Sequence, residues 1–171
     1  MIKIITDLPS SRWQEYRDLR IRAVTNVPYA FGTTAEEELS KSEDRWKKRL
    51  EGTGEDRKDY AVFAEEDGNL VGTMGAYRER LGKVKHSATV VGVYIDEKYR
   101  GQGISSLLMD ALIKKISEDT TVIRLELMVV TTQEAAIALY KKFGFEIVGT
   151  VHKEVFFDGT YYDEYIMEKF L

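Results

Sequence analysis

Along this chain the spacing of apolar positions changes several times, and each change predicts an element. The opening "MIKIIT" is a short apolar strand. Trp13, Tyr16, Leu19 and Val24 then recur on roughly one side of a helix, with Ser10 and Ser11 as candidate caps before it and Pro28 to stop it. After "VPYAFGTT", Thr34 and Glu37 have capping-box spacing; acids at 36 to 38 and bases at Lys47, Lys48 and Arg49 suit the two poles of a second, antiparallel helix. From about residue 60 the period becomes two. "YAVFAEEDGNLVGTMGAYRER" reads as two strands around Asp67-Gly68-Asn69, and "HSATVVGVYI" as a third. Ile104, Leu107, Leu108, Ala111, Leu112 and Ile116 return to spacings of three and four, which predicts a helix with one buried face. "TVIRLELMVV" is a strand, and "QEAAIALYKKFG" is a helix closed by Gly144. "FEIVGTVHKEVFF" and "TYYDEYIMEKFL" flank Asp158-Gly159 as a closing hairpin.

Strand, two helices, three strands, helix, strand, helix, two strands is an α/β order. It predicts one mixed central sheet flanked by helices, mostly antiparallel, with parallel pairing where a helix crosses between strands. A chain of 171 residues without repeat, low-complexity segment or linker fits one domain. Composition adds exclusions. With 43% hydrophobic and 32% charged residues the chain reads as an ordinary globular protein, and its apolar runs are too short to span a bilayer. "MIKIITDLPSSRW" lacks a signal-peptide layout, so no membrane association and a cytoplasmic location are expected. A net charge of −4 with no basic block gives nucleic-acid binding no support. The absence of cysteine removes disulfides, thiolate metal sites and a cysteine acyl-enzyme. His86 and His152, each in a strand-like segment, make neither a metal site nor a triad, and no G-x-S-x-G elbow occurs.

Candidate chemistry gathers in "YIDEKYRGQGISSLLMDALIKKI", Tyr94 to Ile116. A glycine pair costs helix stability, so Gly101 and Gly103 at a helix start imply a tight bend or a close approach. A helix N-terminus offers unpaired N–H groups and partial positive charge, to which Arg100 adds a full one; together they suit a phosphate. The turn lies at the carboxyl end of a central strand, where open sheets bind ligands. A dinucleotide is one rival, because Gly101-x-Gly103-x-x-Ser106 followed by Glu126 mimics its fingerprint. Against it stand Ser106 in place of the third glycine, the "DEKYR" interval after the strand, and the preceding antiparallel hairpins. A nucleotide P-loop is excluded, since no G-x-x-x-x-G-K-[ST] occurs.

These residues resemble the Gcn5-related N-acetyltransferases. Arg100, Gly103 and Ser105 occupy that family's [QR]-x-x-G-x-[GA] motif, with serine in the last place. Gln133, Ala136, Leu139, Tyr140, Gly144 and Phe145 match its N-x-x-A-x-x-L-Y-x-x-x-G-F element, with glutamine for asparagine. The resemblance implies a single N-acetyltransferase domain over residues 1–171 that uses acetyl-CoA as co-substrate. Its pyrophosphate would meet Arg100 and the backbone of Gly101, Gln102, Gly103, Ile104, Ser105 and Ser106. Val93, Tyr94 and Ile95 would offer main-chain groups to the pantetheine arm, and Gln133 an amide. By spacing alone Tyr140 belongs to an apolar stripe; in the family's L-Y position its phenol faces the CoA sulfur and protonates the departing thiolate. A glutamate that some members carry aligns with Met128, which leaves Glu126, two residues earlier on the same strand face, as the candidate base. The acceptor implied is a small primary amine or a peptide N-terminus, and homodimers are common among similar proteins. A CoA-binding sensor of the same fold, without turnover, is the alternative.

Overall fold

A computed structural model describes residues 1–54 and 59–171. Among these residues seven strands form one sheet in the order β1-β2-β3-β4-β5-β7-β6: β1 Lys3–Ile5, β2 Tyr60–Glu66, β3 Asn69–Arg78, β4 Ser87–Ile95, β5 Arg124–Val130, β6 Glu146–Phe157 and β7 Thr160–Phe170. Every pairing is antiparallel except β4 with β5, which are joined by helix α4, Ile104–Ser117. The mixed, mostly antiparallel sheet is as the element order predicts, and both hairpins turn at the aspartate-glycine pairs, where Asp67, Gly68, Asp158 and Gly159 all have positive φ.

The helices differ from expectation at two starts. Ser10 and Ser11 form a 3-10 turn with Arg12 and cap nothing; α1 runs Trp13–Asn26 without a side-chain cap. The single second helix is two, α2 Ala35–Leu39 and α3 Glu43–Leu50. The capping box of Thr34 and Glu37 is present at α2. Ser42, however, accepts from the Arg45 N–H and starts α3 afresh, so the acids at 36 to 38 and the bases at 47 to 49 belong to different helices.

Two cores sandwich the sheet. Leu125, Leu127 and Val129 of β5 face one, with Ile104, Leu108, Leu112 and Ile116 of α4 spaced every four residues. Phe63 and Leu70 face the other, beneath Tyr16, Leu19 and Ala23 of α1 and Trp46 of α3. Leu107 is not in the stripe that its spacing predicts; it is 48% exposed, and Met109 is buried instead. Within the α1–α3 layer Glu38 is fully buried, with Arg20 Nε at 3.0 Å, Lys41 Nζ at 2.7 Å and Arg49 Nη1 at 3.4 Å. Beneath α4, a Cβ on Gly72 of β3 would lie 2.6 Å from Ile95 Cδ1 and 3.2 Å from the Tyr94 carbonyl. Gly72→Ala therefore pushes on the end of β4, and overpacking of this kind costs about 1–3 kcal/mol, measurable as a lower urea midpoint.

Strand β4 parts from β5 early. They pair only at Ser87↔Arg124, Ala88↔Leu125 and Thr89↔Glu126. Next on β4 the register against β3 slips by one residue, with Gly92 at φ 66. A bulge of this kind bends its strand and increases its twist. Strand β5 meanwhile stays paired to β7 along its whole length. Beyond Thr89, then, the two central strands diverge, and β4 turns an unpaired edge toward the gap.

Candidate active site

The gap opens into a cleft of about 330 Å³. It brings together eight of the residues expected to hold acetyl-CoA, Val93, Tyr94, Ile95, Arg100, Gly101, Gly103, Ile104 and Ser105, while Gln133 and Tyr140 are not in its lining. Helix α5, Glu134–Lys142, adds Ala135, Ala136 and Leu139, and the connection between α1 and α2 adds Val27, Ala30 and Phe31. That connection carries no motif, which is why its contribution escapes sequence reading.

Each wall has a distinct chemical offer. Gly101 and Gly103 adopt φ 75 and 78, and a Cβ on either would meet no protein atom within 4 Å. Both conformations are left-handed and disfavour other residues. Gly103 caps α4, whose first turn holds no acidic side chain; the Ser106 N–H turns back to the Gly103 carbonyl at 3.0 Å, which leaves the N–H groups of Ile104 and Ser105 and the positive pole for an anion. Arg100 Nε donates to the Ile95 carbonyl at 3.1 Å, which ties the guanidinium to the strand end while the side chain stays exposed. The β4 edge supplies main-chain donors and acceptors of the sort an extended, amide-bearing ligand pairs with. Ser106 and Gln102 do not line the cleft; Lys142 Nζ donates to Ser106 Oγ at 3.0 Å, and Gln102 donates to the Lys98 carbonyl at 3.2 Å.

Tyr140 is 5% exposed and belongs to the core beneath α4, edge-on to Phe145 with ring centroids 6.0 Å apart. Burial raises its pKa, so the phenol is neutral and keeps its proton. No hydrogen-bond partner for it occurs among the described residues. Gln133 precedes α5, where its N–H donates to the Val130 carbonyl at 2.9 Å; its side chain makes no cap bond. Glu126 is not brought to the cleft. Arg124 pairs with both Glu126 and Glu168 on the sheet face, and Glu126 stands opposite Thr89, where β4 and β5 are still joined. Its alternation with Met128 puts the two on one face of β5 but could not report the arginine two residues before it.

Beyond Phe31 lies a second cavity of about 460 Å³, between the α1–α2 connection and the outer end of β6. Val24, Pro28, Phe31, Val155, Phe156 and Phe157 make it apolar, and Glu154 gives it one carboxylate. Nearby, the Tyr29 and Tyr162 rings stack 5.1 Å apart at 14°. His152 lies outside, bonded through Nδ1 to Asp163 at 2.9 Å. Among the described residues no group of His, Cys, Asp and Glu is arranged to hold a metal, and no helix is long and apolar enough to cross a membrane.

Known proteins share this sequence pattern and fold. The sequence profile described as the acetyltransferase (GNAT) family matches residues 13–145. The chain is 34% identical over 103 residues to the L-amino acid N-acetyltransferase AaaT of Escherichia coli, a match spanning 60% of this chain and 63% of that protein. In structure it resembles the GNAT-family acetyltransferase of Streptococcus pneumoniae, with a TM-score of 0.89 and 21% identity over all of both chains. It also resembles yncA of Salmonella typhimurium, solved with its cofactor acetyl-CoA, with a TM-score of 0.79 and 15% identity over 100% of this chain and 94% of that one.

Proposed function

Because the chain belongs to the acetyltransferase (GNAT) family, we propose that it transfers the acetyl group of acetyl-CoA to a primary amine by direct attack in a ternary complex. One observation carries this: a free strand edge, an acid-free helix N-terminus and Arg100 line a single cleft. Those are the partners that a pantetheine arm and a diphosphate require. The diphosphate sits on the N–H groups that open α4, beside Arg100, and the pantetheine runs along Val93 to Ile95. The thioester then reaches the divergence of β4 and β5. The amine, freed of a proton, attacks the thioester carbonyl; a C–N bond forms, the C–S bond breaks, and the sulfur takes a proton from the Tyr140 phenol. Without cysteine the chain has no thiol to carry the acetyl group between the two substrates.

Steady-state release of CoA thiol, measured with L-amino acids, alkylamines and a peptide N-terminus as acceptors, tests this reading. Release that depends on an acceptor is expected. Tight acetyl-CoA binding without release under any acceptor would favour a sensor. Two variants examine the cleft by calorimetry. Arg100→Ala loses a charge-assisted hydrogen bond worth about 1.5–3 kcal/mol, a roughly 10- to 150-fold weaker acetyl-CoA affinity. Gly103→Val fills the ligand side and no protein space, so it abolishes tight acetyl-CoA binding; the positive φ also costs about 1–2 kcal/mol of stability. Unchanged affinity in folded Gly103→Val protein contradicts the assignment.

A further inference from the structure

Glu164 of β7 is a half-buried carboxylate with no cation paired to it among the described residues. Its neighbours on the same sheet face differ: Glu126 and Glu168 share Arg124. The register fixes where it points. Glu164 stands opposite Val130 on β5 and Val151 on β6. Leu125, Leu127 and Val129 of β5 enter the core beneath α4, so Val130 and Glu164 face the other way, toward the α1–α2 connection. Tyr162, two residues along an unbroken stretch of β7, shows that face directly, since its ring stacks on Tyr29.

Position along the strand separates the two glutamates. Glu126 lies where β4 and β5 are still paired, whereas Val130 is the last residue of β5 and marks the open end of the gap. Four residues of strand, about 13 Å, lie between them. Glu154, in the wall of the neighbouring cavity, adds a second negative charge; burial together with that charge raises the pKa of Glu164. Phe31 belongs to both that cavity and the acetyl-CoA cleft, so the cavity lined by Glu154 and the cleft adjoin across one aromatic side chain.

We infer that Glu164, with Glu154 beside it, receives the ammonium of the acceptor at the open end of the gap and takes its proton, and that the acceptor is a primary amine with an apolar body and no carboxylate near the nitrogen. Opposite charge and aromatic surface attract such a molecule, while an α-carboxylate would face two like charges. The inference rests on the acetyl-transfer reading above. The step balances. Glu164 takes one ammonium proton and later yields it to solvent, and the nitrogen lone pair forms the C–N bond. As the adduct collapses the C–S bond breaks, the sulfur leaves with the Tyr140 proton, and the second nitrogen proton passes through solvent to restore the phenol. The products are an amide, the CoA thiol and one proton.

The test is calorimetric titration of the CoA-saturated protein with phenethylamine, L-phenylalanine and phenylacetate. Phenethylamine should bind saturably, L-phenylalanine at least about tenfold more weakly, and phenylacetate not at all. Glu164→Gln should weaken phenethylamine binding at least about tenfold with CoA affinity unchanged, which also reports that the variant is folded; Glu154→Gln should weaken it less. With CoA bound normally, an absent phenethylamine signal overturns this inference alone, as does a signal indifferent to Glu164→Gln or L-phenylalanine binding as tightly. A wild-type protein that fails to bind CoA overturns the acetyl-transfer reading and this one together.

Discussion

Tyr140→Phe should lower turnover by ~10²–10⁴, the range for loss of a general acid, while acetyl-CoA affinity stays nearly unchanged. The same variant should be at least as stable as the parent. The phenol is buried in the core, its pKa is raised by burial, and it has no hydrogen-bond partner among the described residues. Phenylalanine fills the same space against Phe145, and the hydroxyl it removes makes no hydrogen bond among the described residues that the fold would lose. A tyrosine kept only for packing predicts full activity on the same substitution. Lower turnover with equal or higher melting temperature therefore separates the two roles, and full activity with chemistry rate-limiting returns Tyr140 to the core.

Glu38→Gln should destabilise the fold by about 3–5 kcal/mol, the usual cost of breaking a buried ion pair by removing one partner. Burial pushes this carboxyl up, but the charge of Arg20, hydrogen bonds from Lys41 and Thr33 and the charge of Arg49 together outweigh it and hold the pKa at about 2. The sign follows. A folded pKa below the unfolded value of 4.5 contributes stability that is complete above 4.5 and is lost as pH falls toward 2. That contribution amounts to about 3 kcal/mol at neutral pH. The parent should thus lose stability steeply between pH 4.5 and 2, and Glu38→Gln should show a flatter acid limb, both read from urea midpoints. The same cluster reaches the cleft wall. Arg20 also donates to Thr33 at 2.9 Å and lies 4.5 Å over the ring of Phe31, a wall of the cleft. A variant as stable as the parent would mean that the three cations do not depend on this carboxylate.

Much of the candidate cleft was legible because it depends on local backbone chemistry. Arg100, Gly101, Gly103 and Ser105 show in sequence as a charge and small residues at a helix start, and the fold uses them there with positive φ at both glycines. The hairpins were legible for the same reason. What failed to show depends on which strand lies beside which. "HSATVVGVYI" looks like an uninterrupted strand, yet Gly92 bulges it and thereby opens the cleft. Period two puts Glu126 on the face of Met128 but is silent about Arg124, and it gives Glu164 no distinction from the other acids of "TYYDEYIMEKF". Glu38 reads as one of three helix-start acids; only tertiary packing of α1 and α3 makes it a buried anion. Leu107 shows the limit of spacing on a helix, since the buried stripe of α4 follows steps of four and leaves it outside.

The most direct test of acetyl transfer at the β4–β5 cleft is a rapid-quench experiment with acetyl-labelled acetyl-CoA and a mixture of primary amines, analysed by mass spectrometry of both protein and small molecules. Label should pass from acetyl-CoA to an amine in step with the appearance of CoA thiol, the protein should stay unlabelled throughout, and Gly103→Val should prevent transfer. Label accumulating on the protein, or acetyl-CoA bound but never consumed, would contradict direct transfer.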